Sequence, residues 1–228
     1  MMHIPSARWQ AFLRVALPFA AIPALVALGA LVFPQRAYLL VALGVAALSL
    51  LLFAAGFERR QTGSRRMVLT AVMIALCIAG RFVPLFKPVA ALTVLAGMYM
   101  GAEAGFLTGA LAAALSNFFF GQGPWTPFQM MAWGLIGLIA GYLAGPLKRC
   151  RPLLLVFALL AAVFYSLMMD VWTVLWYSGA PSWDLYAAAF LTALPHTALY
   201  AASNVLFLAL LATPVGRKLE RVRVKYGL

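Results

Sequence analysis

The chain has 228 residues, of which 65% are hydrophobic and only 10% charged, with a mean hydropathy of +0.98. No soluble domain of this length hides that much apolar surface, so the composition excludes one and points to an all-α, polytopic helical membrane protein. The net charge of +12, from 17 Lys and Arg against 5 Asp and Glu, would suit nucleic acid in a soluble chain; in a membrane protein it marks cytoplasmic loops, and no nucleic-acid partner is expected.

The first apolar run, Val15–Phe33, follows Arg8 and Arg14 and spans 19 residues. That is longer than a signal-peptide core of about 7–15 residues, and no small-x-small cleavage site follows, so the run is expected to be a retained span. After a Pro34-Gln35-Arg36 turn, a second span at 37–57 closes an N-terminal transmembrane hairpin over 1–57. A basic cytoplasmic loop at 58–66, with Arg59, Arg60, Arg65 and Arg66, separates the hairpin from a six-helix membrane domain over 67–216. Its helices are expected at 67–83, 88–101, 103–120, 128–146, 152–178 and from about 185 to 212, which makes eight hydrophobic helices with the hairpin. Between them lie a Gly/Pro loop at 121–127, a basic loop Lys148-Arg149-Cys150-Arg151 and a short loop Gly179–Trp183; residues 217–228 form a basic cytoplasmic tail. Cys77 and Cys150 fit neither a disulfide framework nor a metal site, and both are expected to be free thiols.

Placing both termini in the cytoplasm puts 14 of the 17 basic residues on that side and leaves Arg36, Arg81 and Lys87 outside. Short loops obey this asymmetry well, so the 121–127 loop is expected to face outward.

That loop interrupts 44 consecutive uncharged positions, from Ala104 to Leu147. Lipid cannot hydrogen-bond bare backbone, so the interruption must meet water or line a cavity. Pro124 and Pro127 stiffen it, Gly121 and Gly123 permit its turns, and Gln122, Trp125, Thr126 and Gln129 supply an aromatic surface and amides. Such a loop suits a pocket wall; an interfacial aromatic belt would account for Trp125 and Phe118–Phe120 alone. Ala71, Ala75 and Ala79 recur at i+4, a smooth stripe that allows close helix approach in lipid, either to a partner or within the chain. Asp170 is an isolated carboxylate near the outer end of its helix, there for function or to pair with Arg81 or Lys87. In the last helix Thr192, His196 and Tyr200 share one face, Ser203 and Asn204 continue it, and Pro195 can kink the backbone; this polar stripe is expected to face the bundle interior. No G-x-x-x-x-G-K-[ST], H-E-x-x-H or G-x-S-x-G occurs, so no ATPase of the P-loop kind and no enzyme activity is expected, and no cofactor.

The alanine stripe, the six-helix layout with cytoplasmic ends and the stretch SNFFFGQGPWTPFQMMAWGLIGLIAG at 116–141 together resemble the substrate-binding (S) components of energy-coupling factor (ECF) vitamin transporters. The long stretch resembles a subgroup associated with cobalamin. The resemblance implies a multi-pass protein of the bacterial plasma membrane that captures a vitamin from outside, best matched by cobalamin. It would dock on a transmembrane coupling protein with two cytosolic ATPases and tip over in the bilayer to release its cargo. Ala71, Ala75 and Ala79 correspond to that family's docking motif. The implied substrate-binding residues are Asn117, Gln122, Trp125, Thr126, Gln129, Trp133, Asp170, His196, Tyr200 and Asn204. The residues alone suit cobalamin, a flavin, a pterin or another ring-bearing vitamin equally. A secondary transporter would want more carboxylates and a repeat, and a membrane enzyme would have to use Asp170 with His196. The hairpin at 1–57 departs from the family's six-helix pattern.

Overall fold

The structure, a computed structural model, describes residues 7–32, 38–56 and 63–226. Among the described residues every regular element is a helix. Helix α1 (Ala7–Ala16) passes through a π-helical turn at Leu17–Ala21 into α2 (Ile22–Val32). Pro18 and Pro23 remove two N–H donors there, and the ladder widens by one residue instead of breaking, with Ile22 N–H donating to the Leu17 carbonyl. Then follow α3 (Tyr38–Ala55), α4 (Gly63–Gly80), α5 (Val89–Met100), α6 (Ala102–Phe120), α7 (Trp125–Tyr142), the short α8 (Ala144–Arg149), α9 (Arg151–Ser178) and α10 (Trp183–Tyr226). Five stretches are long and apolar enough to cross a membrane: Arg8–Val32, Tyr38–Ala55, Ala102–Phe120, Arg151–Ser178 and Trp183–Val222. The expected polytopic all-α protein is found, the eight helices being α1–α2 taken together, α3 to α7, α9 and α10.

Several boundaries differ from the sequence reading. Helix α4 ends at Gly80, not 83, because Val83 precedes Pro84 and is pushed out of helical geometry. The chain then turns through Arg81–Lys87, where Leu85 adopts φ 60°. The Gly/Pro loop is shorter than expected. Pro124 caps α7, and Trp125, Thr126 and Pro127 form its first turn, where a missing proline N–H costs nothing. The basic residues Lys148 and Arg149 end α8, so Cys150 alone separates it from α9. Helix α10 runs uninterrupted through Pro195 and Pro214, and the expected tail from 217 is helical to Tyr226. Cys77 is buried and Cys150 exposed, both as free thiols.

The core is built on α5, α6 and α7. Helix α5 is buried along nearly its whole length, from Val89 to Met98. It can be so because glycines bring backbones together: a Cβ at Gly97 or Gly105 would collide with the Gly137 carbonyl. Such glycine contacts are a membrane-protein way of gaining packing energy where lipid supplies no hydrophobic drive.

The hairpin is tied to this core at the end of the bundle opposite the 121–124 turn. Glu103, in the first turn of α6 and only 7% exposed, pairs with Arg14 Nε at 3.3 Å and with Arg66 Nη2 at 3.2 Å. The same arginines donate to the carbonyls of Ala55 at 3.2 Å and Gly56 at 3.1 Å. One carboxylate thus fastens α1, the end of α3 and the start of α4 to α6.

Candidate functional site

At the end carrying the 81–88 and 121–124 turns, a chain of buried and half-buried side chains crosses three helices. Asn117, on α6, donates from Nδ2 to Thr126 Oγ1 and to Gln129 Oε1, each at 2.9 Å. Thr126 in turn donates to Gln122 Oε1 at 3.0 Å, and Gln122 is held by the Ala114 carbonyl at 2.8 Å. Gln129 Nε2 donates to the Tyr165 hydroxyl of α9 at 2.9 Å. The pairing leaves no choice of amide orientation, because each amide must give on one side and accept on the other.

Beside this relay stands a set of aromatic rings. Trp133 stacks on Tyr165, centroids 5.5 Å apart and planes 16° from parallel, and its indole N–H donates to the Tyr200 hydroxyl at 2.8 Å. Tyr165 meets Tyr200 at 4.9 Å. Four helices therefore contribute: α6 and α7 the amides, α7, α9 and α10 the rings.

A cation closes the cluster. Arg81, just past the end of α4, donates from Nη1 to Ser116 Oγ at 2.5 Å and to Asn117 Oδ1 at 2.6 Å. Its guanidinium carbon lies 4.7 Å from the Phe120 ring centroid and 5.3 Å from that of Trp133. Each such ring contact stabilises a partly desolvated cation by about 0.5–2 kcal/mol. Lys87 approaches the same Phe120 ring at 5.7 Å.

Of the sequence-derived candidates, Asn117, Gln122, Thr126, Gln129, Trp133 and Tyr200 come together here. The others do not. Trp125 packs edge-on against Trp172 of α9, centroids 5.6 Å apart. Asn204 is buried but donates to the Ala158 carbonyl at 3.3 Å, binding α10 to α9. Asp170 is buried with Oδ2 unpartnered, and among the described residues it forms no ion pair with Arg81 or Lys87. The polar stripe of α10 divides: Tyr200, Ser203 and Asn204 are buried, whereas Thr192 and His196 are exposed, against expectation. The reason is that the first turns of α10 are little covered by the bundle, so interior-facing spacing there meets no interior. Ala71, Ala75 and Ala79 are all exposed, on the face of α4 opposite its buried Met73, Ile74 and Cys77.

Arg81, Ser116 and Tyr165 were missed. Arg81 carried a signal, a lone cation at the end of an apolar helix beside a Pro-rich turn. Tyr165 had none, being one aromatic among many.

A separate cavity of about 230 Å³ lies at the same end, between the hairpin and the bundle. Val26, Gly29 and Val41 wall one side; Pro127, Phe128, Trp172 and Trp176 wall the other.

Residues 62–221 match the family described as the ECF-type riboflavin transporter, S component. No curated protein and no solved structure matches the chain significantly. The match covers the whole six-helix unit and leaves the hairpin outside it. S components of this kind are substrate-binding subunits of vitamin uptake transporters, partnered by ECF coupling and ATPase modules, and are not themselves enzymes. The chain belongs to the family of ECF-type riboflavin transporter S components.

Proposed function

We propose that the chain captures a ring-bearing vitamin at the Asn117–Gln129–Tyr165 relay and its aromatic neighbours, and hands it to a coupling protein driven by two ATPases. The observation that carries this reading is the convergence of amides and stacked rings from four helices at one end of the bundle. Rings of this kind bind a planar ligand by stacking, and fixed amides orient it. The family's description supports a flavin as the first candidate. Cobalamin is the second, supported by the resemblance of residues 116–141 to that subgroup.

Two further features support the transport cycle. The 14-to-3 distribution of basic residues supports an outward-facing cluster with both termini in the cytoplasm. The exposed face of α4, with Ala71, Ala75 and Ala79 flanked by Val68, Val72 and Leu76, supports docking, since small side chains let another helix approach closely in lipid.

Mass spectrometry of small molecules co-purifying with the intact chain tests the capture reading. A retained vitamin is the expected result; recovery of phospholipid alone would defeat it.

A further inference from the structure

Arg81 is a partly buried guanidinium that has no counter-ion among the described residues. The ion pairs seen among the described residues, Arg14–Glu103, Arg66–Glu103 and Lys148–Glu220, all lie at the other end of the bundle. At the Arg81 end the described carboxylates are Asp170 and Asp184, and neither reaches Arg81 or Lys87. A desolvated cation is normally paired, because burial without compensation is costly. Here the acceptors among the described residues are neutral, Ser116 and Asn117, and both use Nη1. Among the described residues no hydrogen bond to Nε or Nη2 is seen, and Nε is buried. Those two nitrogens form the straight edge with which a guanidinium grips two oxygens of a carboxylate or phosphate.

Lys87 reinforces the point. It lies in the turn between α4 and α5, against the same Phe120 ring as Arg81. Burial, and then the neighbouring Arg81, lowers its ammonium below the usual lysine range. Two cations facing one ring with no anion between them repel each other, and an incoming anion would relieve both.

We infer that the captured vitamin carries a carboxylate or phosphate, and that Arg81, with Lys87 beside it, is where that anion binds. The rings of Trp133 and Tyr165 would take the planar part and the guanidinium edge the charged part. This rests on the reading that the cluster is the capture site.

The test is binding of riboflavin and of riboflavin 5′-phosphate, which share a ring and differ by one anion, to the purified full chain. Flavin fluorescence reads the binding, and mass spectrometry identifies any compound the chain already carries. The inference expects the phosphate to bind at least about tenfold more tightly, the effect of one charge-assisted contact. Arg81→Gln and Lys87→Gln should each reduce that preference. Lys87→Gln leaves the Ser116 and Asn117 bonds intact, so it speaks even where Arg81→Gln lowers stability, which thermal unfolding monitors. Equal binding of the two flavins would overturn the inference and leave vitamin capture standing. If neither flavin binds, the retained compound decides. A water-soluble carboxylate or phosphate lost in Arg81→Gln supports the inference; a neutral compound, or a phospholipid held by its headgroup, overturns it. Absence of any bound molecule would defeat the capture reading itself, and the inference with it.

Discussion

Gln129 donates its amide hydrogen to the Tyr165 hydroxyl at 2.9 Å, bridging α7 and α9 inside the apolar bundle. The bond fixes Gln129 so that its oxygen faces Asn117, and it sets Tyr165 parallel to Trp133. Relay and ring stack are therefore one mechanical unit, and neither can shift alone.

The first prediction follows from that coupling. Gln129→Leu takes from the Tyr165 hydroxyl its amide donor and from Asn117 Nδ2 one of its two acceptors, and should destabilise the chain by about 1–3 kcal/mol. Tyr165→Phe should cost less. A double-mutant cycle read by thermal unfolding should show coupling of about 0.5–3 kcal/mol, as for residues in one hydrogen-bond network. Additive losses would mean that the bond does not hold the two helices together.

Docking is tested on α4. Ala75 is exposed, so Ala75→Trp should not disturb folding or vitamin binding. It should abolish uptake and co-purification with the coupling protein, because a large ring on a smooth face prevents close approach. Equal loss of vitamin binding would show that the stripe belongs to internal packing.

Glu103 is the fastening of the hairpin. Glu103→Gln keeps its size but removes the charge shared by Arg14 and Arg66. Thermal unfolding should show a loss of about 1–3 kcal/mol, as for charged groups left without their partner. An unchanged midpoint would mean that the hairpin is held by apolar contacts such as Ile22 and Val45 alone.

Orientation has a direct test. A cysteine placed at Ser182 should react with an impermeant thiol reagent applied to whole cells, whereas Cys150, exposed at the other end, should not. Cys77 is buried and should stay silent in both cases. The opposite labelling pattern would turn the capture cluster toward the cytoplasm.

Much of this was legible before the structure. Long apolar runs bounded by charge or proline define the helices, since lipid permits little else. Asn117, Gln122, Thr126 and Gln129 lie within thirteen residues on either side of one tight turn, so local sequence already brought them together. Tyr165 and Arg81 reach the cluster only through tertiary packing; no neighbour in sequence marks Tyr165, whereas Arg81 stands out as a lone cation at the end of an apolar helix. The error at Thr192 and His196 has a different origin. Spacing along a helix identifies a face but not whether anything covers it. The placement of Trp125 changes for a third reason: read as a loop residue, it is the first residue of α7, and its ring lies against Trp172.

The central claim is that this cluster holds the vitamin, and Trp133 is its most informative member. It joins the stack to Tyr200 and lies under Arg81. Calorimetric titration of purified wild type and Trp133→Ala with the vitamin found to co-purify measures the claim most directly. Truncating a central aromatic contact typically costs roughly 2 kcal/mol or more, so the variant should bind about thirtyfold more weakly. Trp9→Ala, at the opposite end and 52% exposed, should bind as wild type does. Unchanged affinity in a folded Trp133→Ala protein would contradict the account and place vitamin binding elsewhere in the chain.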